Sequence, residues 1–381
     1  MIDLSEYPVV DHHAHMFSQE AQKANPLQRF SILETPKNLE HQLLYRCAAR
    51  ALAKLYTCKP EEEEIFKVRK VKAQNFKEFV SYIFAEANIK VLIVDTSYPP
   101  TMSVDDFREI VPVKVYPVER FDEFLFDELL DNSHTFDELL DTYHERLNHW
   151  IKREGVVGLK AIGAYYTGLN IEKVEREEAE QAFQEFQKTD KSHYLVDYPF
   201  GQTHYVEPKK LRDYLFWEAI DKCAEYNVPM QIHTGDGDMA MRDLMAANPI
   251  LLQKHVLNDK RTQNAELVLV HAGYPQVEFA SYLSHLYPNV HIDFSFLNPF
   301  INVFVGRKIE EAFMWAPFTR ILYGSDAFVI PELYWFGATL FKQELGRVLE
   351  DLVKRDALDE DYAYEVGKMI LSENVKKLYN I

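Results

Sequence analysis

Val9–His15 reads VVDHHAH: two β-branched residues, an acid, and three histidines in the last four positions. Alternate side chains on a strand share a face and lie about 7 Å apart along the backbone. His13 and His15 therefore fall on one face, with only Ala14 between them, and His12 falls on the other. Two imidazoles so placed can converge on one cation. They can equally be two hydrogen-bonded histidines at a strand end. Which reading holds depends on how the other strands end.

Seven further Val/Ile-rich runs follow: Val91–Tyr98, Val113–Glu119, Val156–Ala164, Val228–Thr234, Glu266–Ala272, Val290–Phe296 and Ile321–Asp326. Most are near-continuous apolar runs rather than alternating ones, as expected for a parallel sheet covered by helices. Stretches of helical spacing separate them. Eight such units predict an α/β chain folded as a (β/α)8 TIM-type barrel, with its chemistry at the C-terminal strand ends. We read residues 1–381 as one barrel domain. Two intervals exceed a single crossover helix. After the first strand, residues 16–90 are expected to form a helical insertion, a lid over the C-terminal face. Its helix-like stretches, Leu39–Leu55 and Asn75–Ala87, flank the acidic run Glu61–Glu64. After the fourth strand come a helix near Ile171–Lys188 and an aromatic loop, Tyr194–Tyr205. The tail Asp359–Ile381 reads as a terminal helix.

The composition excludes several classes. Of 381 residues, 47% are hydrophobic and 27% charged, so the chain can bury a large core. Its 42 basic residues against 60 acidic ones give a net charge of −18. Nucleic acid and phospholipid surfaces need clustered Lys and Arg, so neither is expected as a partner. No apolar run approaches the roughly 20 residues that span a bilayer. Met1–Asp11 lacks the basic and apolar regions of a signal peptide. The three cysteines are too few for a disulfide framework and fit a reducing compartment, so the expectation is cytoplasmic. A small-molecule substrate is expected; a homo-oligomer is left open.

Metal-ligand residue types fall at or near the C-terminal ends of five runs: His13 and His15, Lys160, His233, His271 and Asp326. His233 in QIHTGDGD and His271 in LVLVHAG each follow an apolar run and precede a glycine. One buried histidine at a strand end is ordinary. Two of them, with the His13/His15 pair and Asp326, point to a divalent cation, and imidazole with carboxylate suits zinc. Lys160 lies inside VVGLKAIGA, where a bare ammonium is costly to bury. Either its head reaches solvent or a carboxylate at the mouth, or it is carboxylated by CO2 and bridges two cations.

This set resembles the metal-dependent amidohydrolase superfamily. The phrases VVDHHAH, GLKAIGAYYTGL, QIHTGDGD, LVLVHAGYP and ILYGSDA are similar to its amidohydrolase-2 group. That group includes barrel domains fused to glutamine-synthetase-like domains, although no such segment follows the barrel in this sequence. The resemblance implies a binuclear centre held by His13, His15, carboxylated Lys160, His233, His271 and Asp326. It also implies a hydrolase acting on an amide or other C–N bond, or an ester. One or two divalent metals per chain, zinc foremost, would make hydroxide at neutral pH. Asp326 would shuttle the proton, and His271 would assist at the catalytic centre. The alternatives on the same fold are a mononuclear zinc decarboxylase or hydro-lyase and a uronate-isomerase-like enzyme; outside it stands a non-catalytic metal-binding protein.

Other residues carry weaker signals. Arg120, just past the third strand, could clamp a substrate carboxylate or pair with Glu119 or Asp122. Tyr165 and Tyr166 follow Lys160 and are expected to line the mouth, one of them as core. Asp236 and Asp238 could orient a ligand histidine or cap the next helix. Asp293 reads as a hydrogen-bonded barrel residue.

Overall fold

The computed structural model describes residues 2–31, 37–122, 124–153, 155–199, 203–237 and 243–381. All eight expected runs contain strands: β1 (Val9–His15), β2 (Ile89–Asp95), β3 (Lys114–Arg120), β4 (Gly158–Ala161), β5 (Met230–His233), β6 (Leu267–Val270), β7 (Val290–Asp293) and β8 (Ile321–Leu322). They form one sheet in chain order, with helical connections, the (β/α)8 class expected from the sequence. The chain divides into two compact units, Met1–Tyr116 with Asp293–Ile381, and Pro117–Ile292.

In the first unit β1 pairs in parallel with β2, and all seven residues of β1 are buried. β8 ends at Leu322, four residues before Asp326, where the sequence had suggested a longer strand. The reason lies in the backbone: Tyr323 N donates to Ile370 O, outside the ladder, while residues 323–327 bond to β1 irregularly. The insertion after β1 holds three helices, α1 (Leu43–Tyr56), α2 (Glu62–Lys72) and α3 (Phe76–Glu86). The acidic run Glu61–Glu64, which lies between the two expected helix-like stretches, opens α2. Three glutamates in its first turn and three basic residues in its last complement the helix dipole.

A buried ionic hub fixes this insertion. The Arg69 guanidinium of α2 binds both carboxylate oxygens of Glu332 and donates to the carbonyls of Ala21 and Gln22, each at 2.9 Å. Tyr56 Oη of α1 donates to Glu332 at 2.7 Å. Arg69 and Glu332 are both 0% exposed. Removing either partner alone would leave an unmatched buried charge. Glu332 lies in the first turn of the helix Pro331–Lys354, which follows β8. Further along that helix, the Lys342 ammonium donates to Ser5 O at 2.8 Å and Ala87 O at 3.0 Å.

In the second unit β4, β5, β6 and β7 pair in parallel in that order. The aromatic loop expected over Tyr194–Tyr205 carries two short antiparallel strands, Leu195–Asp197 and Thr203–Tyr205. Another buried arginine sits here. Arg212 binds Glu207, donates to Asp122 O at 2.7 Å, and stacks under Tyr166 at 4.5 Å. Both Asp122 carboxylate oxygens accept from Ile162 N, at 2.9 Å each. The turn that leaves β4 is thereby held from behind.

Two predictions follow from these buried charges. Glu332→Gln should lower unfolding stability by about 3–5 kcal/mol, while Arg69→Met/Glu332→Leu should recover most of it, as read by denaturant unfolding. Burial pushes Lys342 down from 10.5 to about 8. Between those values the unfolded chain holds a proton that the folded chain has released, so this group's contribution to stability rises with pH. Lys342→Met should remove a rise of at most about 1.4 kcal/mol per pH unit in that window.

Candidate metal centre

The first unit brings His13, His15 and Asp326 together, with ligand atoms all within 4.8 Å of one another. Asp326 Oδ1 lies 3.4 Å from His13 Nε2 and 3.2 Å from His15 Nε2. The residues are 2%, 3% and 2% exposed. Two ligands each about 2.1 Å from a tetrahedral zinc stand about 3.4 Å apart. The donor types and the spacing therefore both fit one divalent cation.

Backbone bonds set this geometry. Asp326 N donates to His13 O and His15 N to Ala327 O, both at 2.8 Å. Asp11 clamps the same two segments: its carboxylate accepts from Ser325 N at 2.9 Å, from Ser325 Oγ, and more weakly from His13 N at 3.4 Å. Burial pushes the Asp11 carboxyl up to about 7, against the pull of those Ser325 bonds. Tyr334 Oη, on the helix after β8, donates to His15 O. Asp326 itself has φ 54°, left-handed backbone that a non-glycine residue adopts at a cost and that clusters at functional sites. His12 binds Asp293 and lies 3.2 Å from Tyr379 Oη. Asp293 also accepts from Ser295 Oγ at 2.6 Å, so it is a hydrogen-bonded residue of the strand.

The second unit holds Lys160, His233 and His271, at 1%, 3% and 2% exposure. The His233 and His271 rings lie 4.6 Å apart at 72°. Lys160 is the register partner of both Arg120 and Gln231, and His233 is two residues beyond Gln231. Register partners and i+2 neighbours share a face, so Arg120, Lys160, Gln231 and His233 line one side. His271 sits just past β6, in a left-handed run with Ala272 and Gly273 at φ 68°, 46° and 65°. Thr234 staples that turn to β5: its Oγ1 donates to Val270 O at 2.7 Å and accepts from Gly273 N at 2.9 Å.

The tyrosines separate. Tyr165 is 5% exposed and packs on His233 at 4.2 Å. A Cβ at Gly237 would run into Tyr165 Oη and the His233 ring, so a glycine is needed there. Tyr198 Oη of the aromatic segment donates to Tyr165 O at 2.7 Å. Tyr166 is half-buried on Arg212. Arg120 is half-buried at the end of β3. Burial raises the Asp236 carboxyl above its ordinary range, with the bond it accepts from Gly237 N pulling the other way. Asp238 lies outside the described residues. Among the described residues, sequence reasoning missed Asp11, Thr234, Tyr334 and the Arg69–Glu332 pair. Only Asp11 had a signal, being two residues before His13 on an alternating strand.

The amidohydrolase family profile matches residues 191–381, and the chain belongs to that family. Protein fluG of Emericella nidulans is 28% identical over 232 residues, which make up 59% of this chain and 26% of fluG. The chain thus spans about a quarter of that relative's length. A Lactobacillus casei protein of known structure, named as a candidate metal-dependent hydrolase, is 25% identical, with a TM-score of 0.83 over 100% of this chain and 98% of that one. The uronate isomerase of Thermotoga maritima shares the fold at 14% identity, with a TM-score of 0.67 over 98% of this chain and 95% of its own. No described helix is long and apolar enough to cross a membrane.

Asp11→Ala should weaken zinc binding at least about tenfold while leaving the Arg69–Glu332 hub intact, because it frees the segments that carry His13 and Asp326. Zinc titration calorimetry on the purified variant reads this; an unchanged affinity would show that Asp11 only supports the fold.

Proposed function

We propose that this chain is a metal-dependent hydrolase that cleaves an amide or other C–N bond, or an ester, of a small molecule. The observation that carries the reading is the buried His13–His15–Asp326 cluster, whose Nε2–Oδ1 separations of 3.2 and 3.4 Å match ligands of one cation. Lys160 as a carbamate, with His233 and His271, completes the proposed ligand set for a second. Zinc is the metal its imidazole and carboxylate donors suit best. A divalent cation supplies Lewis acidity there, polarising a carbonyl and lowering the pKa of water.

The residues of the chain do the rest. Asp326 accepts the proton of the attacking water at a carboxylate oxygen and returns it to the leaving group. His271, fixed by the left-handed turn and Thr234, holds its imidazole in place for the second metal and the reacting carbonyl. Arg120 shares the Lys160 face and offers a bidentate partner for a substrate carboxylate. Tyr165 packs the His233 ring into one orientation, and Tyr166 stands beside the substrate on its Arg212 base. The 16–90 insertion serves as the lid, held at its root by Arg69 and Glu332. The three free cysteines suit a reducing compartment, the cytoplasm in this reading.

A mononuclear decarboxylase, hydro-lyase or isomerase is the second reading. It is favoured by one observation: the first unit gathers three ligands of a single cation without help from Lys160. Metal stoichiometry separates the two. The hydrolase should bind two zinc ions, gain activity toward N-acyl amino acids when reconstituted with bicarbonate, and take up labelled bicarbonate as a carbamate. Lys160→Ala should lose that label and at least about a hundredfold in activity, with partial rescue by small carboxylic acids. Asp326→Asn should lose about 100- to 10,000-fold in kcat. One zinc per chain and no carbamate signal in a fully loaded protein would favour the mononuclear reading.

A further inference from the structure

A chain of aromatic rings begins at His15, and its first member, Tyr98, is exposed to solvent. The Tyr98 ring stands edge-on to His15, with centroids 6.0 Å apart and planes at 90°. Phe328 meets Tyr98 edge-on at 6.4 Å, and Phe300 lies 6.0 Å beyond at 33°. Phe296 backs Phe300 at 5.3 Å. Tyr98 is 43% exposed, Phe328 and Phe300 are half-buried, and Phe296 is buried. Tyr98 follows the end of β2, Phe300 follows β7 and Phe328 follows β8.

Single exposed aromatics are ordinary on a protein surface. Rings from three loops, joined in a chain whose first member stands edge-on to a candidate metal ligand, itself 3% exposed, are not. The loops are also firmly built. Met16 N donates to Tyr98 O at 3.2 Å, and Asp95 accepts from Ser97 N and Oγ at 3.1 and 2.6 Å. Phe296, Asp326 and Val329 hold left-handed backbone at φ 66°, 54° and 62°. For Val329, β-branched, this is costly, and such strain persists only where the surroundings fix it. Apart from the Tyr98 hydroxyl, the Tyr98, Phe328 and Phe300 side chains offer no hydrogen-bonding group, so a polyhydroxylated substrate finds few partners there. Partly exposed aromatic rings suit offset or edge-on packing of another ring.

We propose that Tyr98, Phe328 and Phe300 form a subsite for a planar aromatic group of the substrate, joined next to the bond that reaches His13, His15 and Asp326. This rests on the metal-dependent hydrolase reading and narrows its substrate to an aryl-bearing amide or ester. The test uses hydroxamates, which chelate divalent metals, on the zinc-loaded full chain. In calorimetry, benzohydroxamate should bind about tenfold or more tightly than acetohydroxamate or cyclohexanecarbohydroxamate. Tyr98→Ala/Phe328→Ala should bring the three within about twofold of one another while zinc content stays unchanged. Tyr98→Leu alone, at an exposed position, should lose part of the preference if the double variant does not fold. Equal binding of all three probes by the wild type would overturn the subsite. So would a cyclohexyl probe as tight as the phenyl one, or a preference that survives the double variant. Failure of the wild type to bind zinc or any hydroxamate would instead overturn the hydrolase reading beneath it.

Discussion

A charge removed from water must be matched by partners that cannot drift. Much of this molecule's functional geometry depends on that constraint. Arg69 is matched by a carboxylate and two carbonyls, and those partners come from the segment after β1 and the helix after β8. Arg212 is matched by Glu207 and the Asp122 carbonyl, and Asp122 in turn holds Ile162 N at the exit of β4. The Asp11 carboxyl, pushed up to about 7 by burial, is held by Ser325 and the His13 amide. Asp11 and Asp122 thereby tie down segments that carry or adjoin a candidate ligand. The desolvation cost is high enough that loosening the segment would strand the charge, so the position of the ligand residue is inherited from the charge behind it.

The same logic explains why the candidate ligands sit on unusual backbone. A regular strand would alternate Asp326 and His271 in and out with their neighbours. Left-handed turns at Asp326 and at His271–Gly273 break that alternation at strand ends. The cost is held in place by bonds such as Asp326 N to His13 O and Thr234 Oγ1 to Val270 O. The chain belongs to the amidohydrolase family, and its first unit gathers a buried His–His–Asp group with metal-ligand spacing.

Much of this was legible in the sequence because it is written locally. Eight Val/Ile-rich runs mark eight strands, and His13, His15, Lys160, His233, His271 and Asp326 stand out as polar types at their ends. What could not be read is long-range. Arg69 meets Glu332 across 263 residues, and nothing near either one announces the other. The end of β8 was misjudged because Ile370, distant in sequence, takes the amide of Tyr323. Helix α2 falls between the two expected helix-like stretches, although the acidic start and basic end of EEEIFKVRKVK are a local signal for a helix. The Leu195–Tyr205 pairing was read as a loop because strands of three residues carry too short a pattern to register.

The central claim is that His13, His15 and Asp326 are ligands of one divalent cation. Anomalous diffraction at the zinc edge, from crystals of the zinc-loaded protein, tests it most directly. The account predicts a zinc peak about 2.0–2.2 Å from Nε2 of both histidines and from an Asp326 carboxylate oxygen. Zinc bound elsewhere, with these three side chains bonded only to one another, would contradict it.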